Sequence, residues 1–293
     1  MRSEETSMTE GARPSVGVVG LGAMGRPAAE FLAASEFDTF AFDLDAAALD
    51  AIGQKGATPV PSLKDLAGKS TVIFVFVPSD DDVRTVCLGD DGLLAGAQPG
   101  SVLAICSSAL PETCAAIAAA GAERGVDVLD AALTGGVRGA EAGEINLLVG
   151  GEEQVLDRIR PVLEPWCGSV HHMGALGTGQ VGKTVNNLVH WAQISAINEA
   201  LRFGQRLGVA PAKLREALKD GPTDSRTLRE IEQMRFTWHK KDLANAFAMA
   251  QTVEPPIELP VAATAREAML SITVDSVAAL LADKQPDTDP AQA

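Results

Sequence analysis

The chain has 293 residues, 46% of them hydrophobic, enough to bury a sizeable core in about two domains. Its formal charge of −15 argues against a nucleic-acid partner, because neutralising phosphates requires a basic face. No apolar run approaches the roughly 20 residues needed to cross a bilayer, and the opening MRSEETSMTE is too polar and acidic for a targeting signal. A cytoplasmic location with no membrane partner is therefore expected.

Residues 1–13 and 284–293 lack apolar periodicity and are expected to be disordered tails. Between them the first element is SVGVVG, short and apolar like a buried strand, followed by GLGAMGRPAAEFLAA, in which Met24, Ala28, Phe31 and Leu32 share one helical face. Strand, glycines and helix follow in the order of a dinucleotide cradle. Gly20 permits the tight turn, Gly22 lets the backbone approach a pyrophosphate, and Gly25 lets the helix pack on the strand. Leu21, Ala23 and Met24 complete the cofactor-binding loop. A second strand, DTFAFD, ends at Asp43, about 20 residues on, where a carboxylate can accept hydrogen bonds from the adenosine ribose. That charge would repel the 2′-phosphate of NADP, so NAD is the expected cofactor.

Further strands are expected at 71–77, 101–106, 126–131 and 145–151, with helices between them: an α/β doubly wound sheet. Ligands bind at the carboxyl ends of such strands, so Val77 and Pro78 should border the cofactor, and Ser107 and Ser108 either do the same or cap the helix before Pro111. From about residue 176 strand signals stop. A long helix runs from near Thr178 to Gly208, with Lys183, Asn187 and His190 along one face. That face reads equally as a solvated stripe or as a helix start packed closely against something. Cys87, Cys106, Cys114 and Cys167 have no metal-ligand or redox spacing and are expected to be buried and reduced. Neither they nor the histidine pair 171–172 point to a metal.

GLGAMGRP, DAALTGG at 130–136, GTGQVGKTVNN at 177–187 and KKDL at 240–243 occur in the order and spacing of the β-hydroxyacid dehydrogenase family, which the chain resembles from about Pro14 to Leu281. The resemblance implies an N-terminal Rossmann-like NAD-binding domain (14–175) and an all-helical substrate and oligomerisation domain (176–283) joined by the long helix, with the active site in the cleft between them. It also implies a homodimer or homotetramer. By position, Lys183 matches the catalytic lysine and Asn187 the asparagine that positions substrate. Thr134, Gly135 and Gly136 match the segment that receives the substrate carboxylate, Lys241 a lysine that closes over the cofactor, and Ser108 a residue on the nicotinamide side. The implied reaction is hydride transfer between NAD(H) and a small anionic β-hydroxy acid or semialdehyde. Lysine acts as general acid/base there if desolvation and nearby positive charge bring its pKa down from about 10.4.

The sequence also departs from the family pattern. Ile105 replaces an acidic residue, Ser108 a threonine, Ala132 a proline and Thr134 a serine, while His190 and Trp191 are bulkier and more polar than usual and Trp238 and His239 crowd the approach to KKDL. His190 either reads a polar substituent of the substrate or packs between helices, and core or subunit packing is expected of Trp191 and Trp238. An NADPH-dependent imine reductase on the same scaffold is disfavoured by Lys183 and Asp43. A non-catalytic dinucleotide-binding protein would lack the Lys183 and Asn187 pair.

Overall fold

The computed structural model of the chain describes residues 14–284; apart from Lys284, both expected tails lie outside them. The chain forms two compact units, the first ending at Lys183 and the second starting at Thr184, so the division falls inside the long helix.

The first unit alternates strands and helices: β1 Ser15–Val19, α1 Gly25–Ala33, β2 Asp38–Phe42, α2 Ala46–Gly53, β3 Thr58–Pro59, α3 Leu63–Lys69, β4 Val72–Val75, α4 Asp80–Leu88, α5 Leu93–Gly96, β5 Val102–Ile105, α6 Pro111–Ala122, β6 Asp127–Thr134, α7 Gly136–Ala142, β7 Ile145–Gly150, α8 Glu153–Leu163 and β8 Cys167–Gly174. The eight strands form one sheet in the order β3-β2-β1-β4-β5-β6-β7-β8, parallel except where β7 pairs antiparallel with β6. This is the expected doubly wound α/β sheet. Two strands escaped the sequence reading, β3 because two residues carry no alternation, and β8 because CGSVHHMG is a polar edge strand.

Alternation assigns side chains to faces. Val72, Phe74, Val102 and Ala104 enter one core with Leu32, Leu129 and Trp166, whereas Ile73, Val75, Leu103 and Ile105 enter the other with Leu66, Val83 and Ile117. Both faces are covered, as a parallel sheet requires. Cys87, Cys106 and Cys114 are buried free thiols, with burial pushing Cys87 up to about 12. Cys167 corrects the expectation of uniform burial, since it sits half-buried on the edge strand.

One cross-strand row positions everything that follows. Phe42, Val19, Val75, Ile105, Asp130, Gly150 and Gly174 stand side by side across seven strands. Beyond this row β6 continues four residues, about 13 Å, to Thr134. β7 then returns the chain to the row, as does β8 after it.

The long helix α9, Thr178–Arg206, starts four residues past Gly174. The second unit continues with α10 Pro211–Lys219, α11 Arg226–Glu230, a 3-10 turn Ile231–Gln233, α12 His239–Thr252, α13 Pro260–Ala268 and α14 Val274–Leu281. Its core gathers Trp191 and Ile194 from α9 with Ile231, Phe236, Leu243, Met269 and Val277. Among the described residues no helix is long and apolar enough to cross a membrane.

The glycines of the first loop separate packing from ligand approach. A Cβ on Gly25 would strike the Gly20 carbonyl, whereas one on Gly22 meets nothing within 4 Å. In urea denaturation, Gly25→Ala is expected to lower stability by about 1–3 kcal/mol, as overpacking does, and Gly22→Ala to change it by less than about 0.5 kcal/mol.

Candidate active site

The loop leaving β1 turns sharply at Gly20, whose φ of +88° and contact with the Phe76 carbonyl exclude a side chain. Leu21 is buried, Met24 packs on the core, and Gly22 and Ala23 are exposed, Gly22 with open space beside it. The Leu21 N–H donates to Asp43 Oδ2 at 2.6 Å, and the Asp45 N–H to Asp43 Oδ1 at 2.8 Å. The carboxylate is thus fixed one residue past β2, beside the glycine loop. An open glycine loop at a helix start with an oriented carboxylate beside it fits a dinucleotide.

The next loops are tied together by polar contacts. Val77 N–H donates to Ser107 Oγ at 2.7 Å, and that hydroxyl donates to the Val75 carbonyl at 3.2 Å. Ser107 is buried and Ser108 half-buried, and neither caps α6, whose first turn is held by Asp80 through the Leu110 N–H and the Thr113 hydroxyl. Pro78 is exposed beside Val77.

Asp130, fully buried in β6, binds the start of α9. Its Oδ1 accepts from Gly177 N–H at 2.6 Å and its Oδ2 from Gln180 N–H at 2.8 Å. Burial raises the carboxyl above its ordinary value while these N–H groups and that of Gly179 oppose the shift. Gln180, itself 2% exposed, donates from Nε2 to the Ser107 carbonyl at 2.8 Å and accepts at Oε1 from Ala109 N–H at 3.1 Å. Lys183 follows three residues later, half-buried.

Thr134 ends β6 half-buried, its hydroxyl donating to the Asn146 carbonyl at 3.4 Å. Gly135 and Gly136 follow at φ +110° and +66°, a consecutive left-handed pair that exposes the turn entering α7. Ile105 and Ala132 are core residues.

In the second unit Asn187 is buried one turn beyond Lys183 on α9, its Oδ1 accepting from Asn186 at 3.2 Å. His190 Nδ1 lies 3.2 Å from the Thr227 hydroxyl, with its ring 4.9 Å from Trp191. Trp191 is a core residue that donates to Asp242 at 3.1 Å. His239 is buried and donates from Nδ1 to the Phe236 carbonyl at 2.7 Å. Lys241 is exposed in the first turn of α12. Of the two packings expected of Trp238, just before that helix, the core is not the one it takes, since it is 46% exposed within the single chain. Among the described residues no three His, Cys, Asp or Glu side chains form a group that could hold a metal.

Sequence reasoning missed the roles of Asp130 and Gln180. The one signal for Asp130 was a lone acid inside the apolar run VLDAALT; Gln180, among small and polar neighbours, gave none.

Comparison with known proteins follows this division of the chain. Residues 15–174 match the family described as the NAD binding domain of 6-phosphogluconate dehydrogenase, and residues 177–283 that described as NAD-binding of NADP-dependent 3-hydroxyisobutyrate dehydrogenase. A 2-(hydroxymethyl)glutarate dehydrogenase of Eubacterium barkeri is 34% identical over 80% of this chain and 77% of its own. A 3-hydroxyisobutyrate dehydrogenase of Pseudomonas aeruginosa is 36% identical over 70% of this chain and 68% of its own. The solved 3-hydroxyisobutyrate dehydrogenase of Mycobacterium tuberculosis, with L-serine, superposes with a TM-score of 0.80 at 25% identity, covering 88% of this chain and 93% of that one. With the dinucleotide loop, the oriented acid after β2 and the lysine helix already in place, these matches show that the chain belongs to the β-hydroxyacid dehydrogenase family, NAD(P)-dependent enzymes acting on CH–OH groups.

Proposed function

We propose that the chain is an NAD-dependent dehydrogenase that interconverts a small β-hydroxy acid and its semialdehyde, with Lys183 as general acid/base. The observation that carries this reading is the placement of Lys183. Gln180, three residues before it, bonds to the loop after β5, on the edge of the sheet where the glycine loop, Asp43 and Val77 also emerge. NAD, when bound, supplies the hydride acceptor. The Lys183 amine takes the hydroxyl proton on oxidation and its ammonium returns the proton on reduction. Asn187, one turn along α9, holds the reacting oxygen in line.

Thr134 and the left-handed Gly135–Gly136 turn receive the substrate carboxylate through a hydroxyl and backbone N–H groups. This arrangement needs no net positive charge, which reconciles an anionic substrate with a chain of charge −15. Ser108 serves the cofactor on its nicotinamide side, and the family resemblance assigns Lys241 to cofactor binding. Lys183 and Asp43 both stand against the imine reductase reading.

The catalytic assignment is tested by following NADH absorbance over a panel of β-hydroxy acids and semialdehydes. Lys183→Ala is expected to lower kcat by about 10²-fold or more while NADH still binds. Absence of wild-type turnover across the panel, or a fully active variant, would sink it.

The fixed charge of Asp43 supports NAD over NADP. NADH should bind about tenfold or more tighter than NADPH by fluorescence titration, and Asp43→Ala should close most of that gap; equal affinities in the wild type would remove the argument.

An exposed apolar face on α9 supports a homo-oligomer. Val185, Val189 and Phe203 lie on one side of the helix with Leu207 just past its end, all 53–67% exposed, and no charged residue occurs between Lys183 and Glu199. Light scattering is expected to give a multiple of the 30.4 kDa chain mass and a smaller mass for Val189→Glu; a monomeric wild type would end this reading.

A further inference from the structure

We infer that Gln180 is a positioning residue that sets Lys183 against Ser108, an inference resting on the dehydrogenase reading above. Its amide brackets Ser108: Oε1 accepts from the N–H of residue 109, and Nε2 donates to the carbonyl of residue 107. The backbone on both sides of Ser108 is therefore fixed by one side chain. That side chain belongs to the same helical turn as Lys183, so one amide group relates the nicotinamide-side serine to the proton-transfer lysine.

Three further bonds make this a clamp. Asp130 accepts the Gln180 N–H at 2.8 Å and the Gly177 N–H at 2.6 Å, so the backbone of the turn cannot shift to follow its side chain. On the far side, Ser107 Oγ accepts the Val77 N–H at 2.7 Å, tying the loop after β4 to the same assembly. Gln180 is 2% exposed, Asp130 0% and Ser107 5%, which excludes water as a competing partner for most of these groups.

The chemistry demanded at position 180 is specific. One donor and one acceptor are needed at the end of a three-carbon reach, a requirement that glutamine meets. Methionine matches the length and volume but supplies neither, leaving the Ser107 carbonyl and the Ala109 N–H unsatisfied. A glutamic acid that takes a proton on burial offers the same donor–acceptor pair as the amide. Space-filling and clamping thus predict opposite orders. If Gln180 only fills volume, Met serves and Glu does not; if it clamps, Glu serves better than Met.

The test compares wild type, Gln180→Met and Gln180→Glu with two independent readouts. The first is hydrogen exchange of the free protein in peptides covering residues 105–112 and 176–184. Gln180→Met is expected to speed exchange about tenfold or more in both peptides together, with Gln180→Glu close to wild type and Lys183→Ala unchanged. The second is steady-state kinetics. Gln180→Met should lower kcat about 30-fold or more with KM and the NADH dissociation constant within about threefold of wild type, and with a larger isotope effect from deuterated NADH. Unchanged exchange in either peptide, or a Met variant as active as wild type with Glu the damaged one, would overturn the clamp. If wild type turns over no hydroxy acid, the dehydrogenase reading fails on its own, and the exchange data alone decide whether the clamp exists.

Discussion

The first unit depends on a buried anion held by the end of a helix. Asp130 lies in the middle of an otherwise apolar strand, and taking a carboxylate out of water costs several kcal/mol unless its lone pairs are satisfied. Its partners are backbone N–H groups of the first turn of α9, the donors that a helix start leaves unpaired, at the end where the helix dipole favours negative charge. Each group answers the other's deficiency. Helix and strand are thereby locked at one register, and Gly179 is small enough to allow the contact: a Cβ there would lie 2.8 Å from the Asp130 carbonyl.

Around this lock the architecture has a simple order. A single row of residues across the sheet marks a level, and the glycine loop, Asp43, Val77, Ser107 and the approach to α9 leave the sheet immediately past it. Only β6 overshoots, carrying Thr134 and the two glycines above the rest. The antiparallel course of β7 then compensates for the overshoot, bringing the chain back down so that α9 begins at the level of Asp130. A purely parallel continuation would have delivered the next strand start to the opposite edge.

What the sequence revealed followed the range of the interactions involved. The β1 loop was legible because each glycine has a local reason, and Asp43 because its distance from the loop is fixed by one βαβ unit. The left-handed pair at 135 and 136 was visible as GG, and the span of α9 as an uninterrupted helical pattern ending near Gly208. Asp130 and Gln180 were not legible, because their partners lie 47 to 73 residues away and no periodicity encodes such a pairing. β3 and β8 were missed for other reasons: two residues carry no alternation, and the edge strand β8 exposes one side to water, so that its composition resembles a loop.

The Asp130 contact also bears on how the chain is made. During synthesis from the N-terminus, all eight strands are complete at Gly174, before any residue of α9 exists. Until residues 177–180 emerge, the Asp130 carboxyl has no helix N–H groups to answer it, and burying it costs more than it does in the finished fold. The acid buried in the sheet thus gains its hydrogen-bond partners only when the segment that also carries Lys183 has been made.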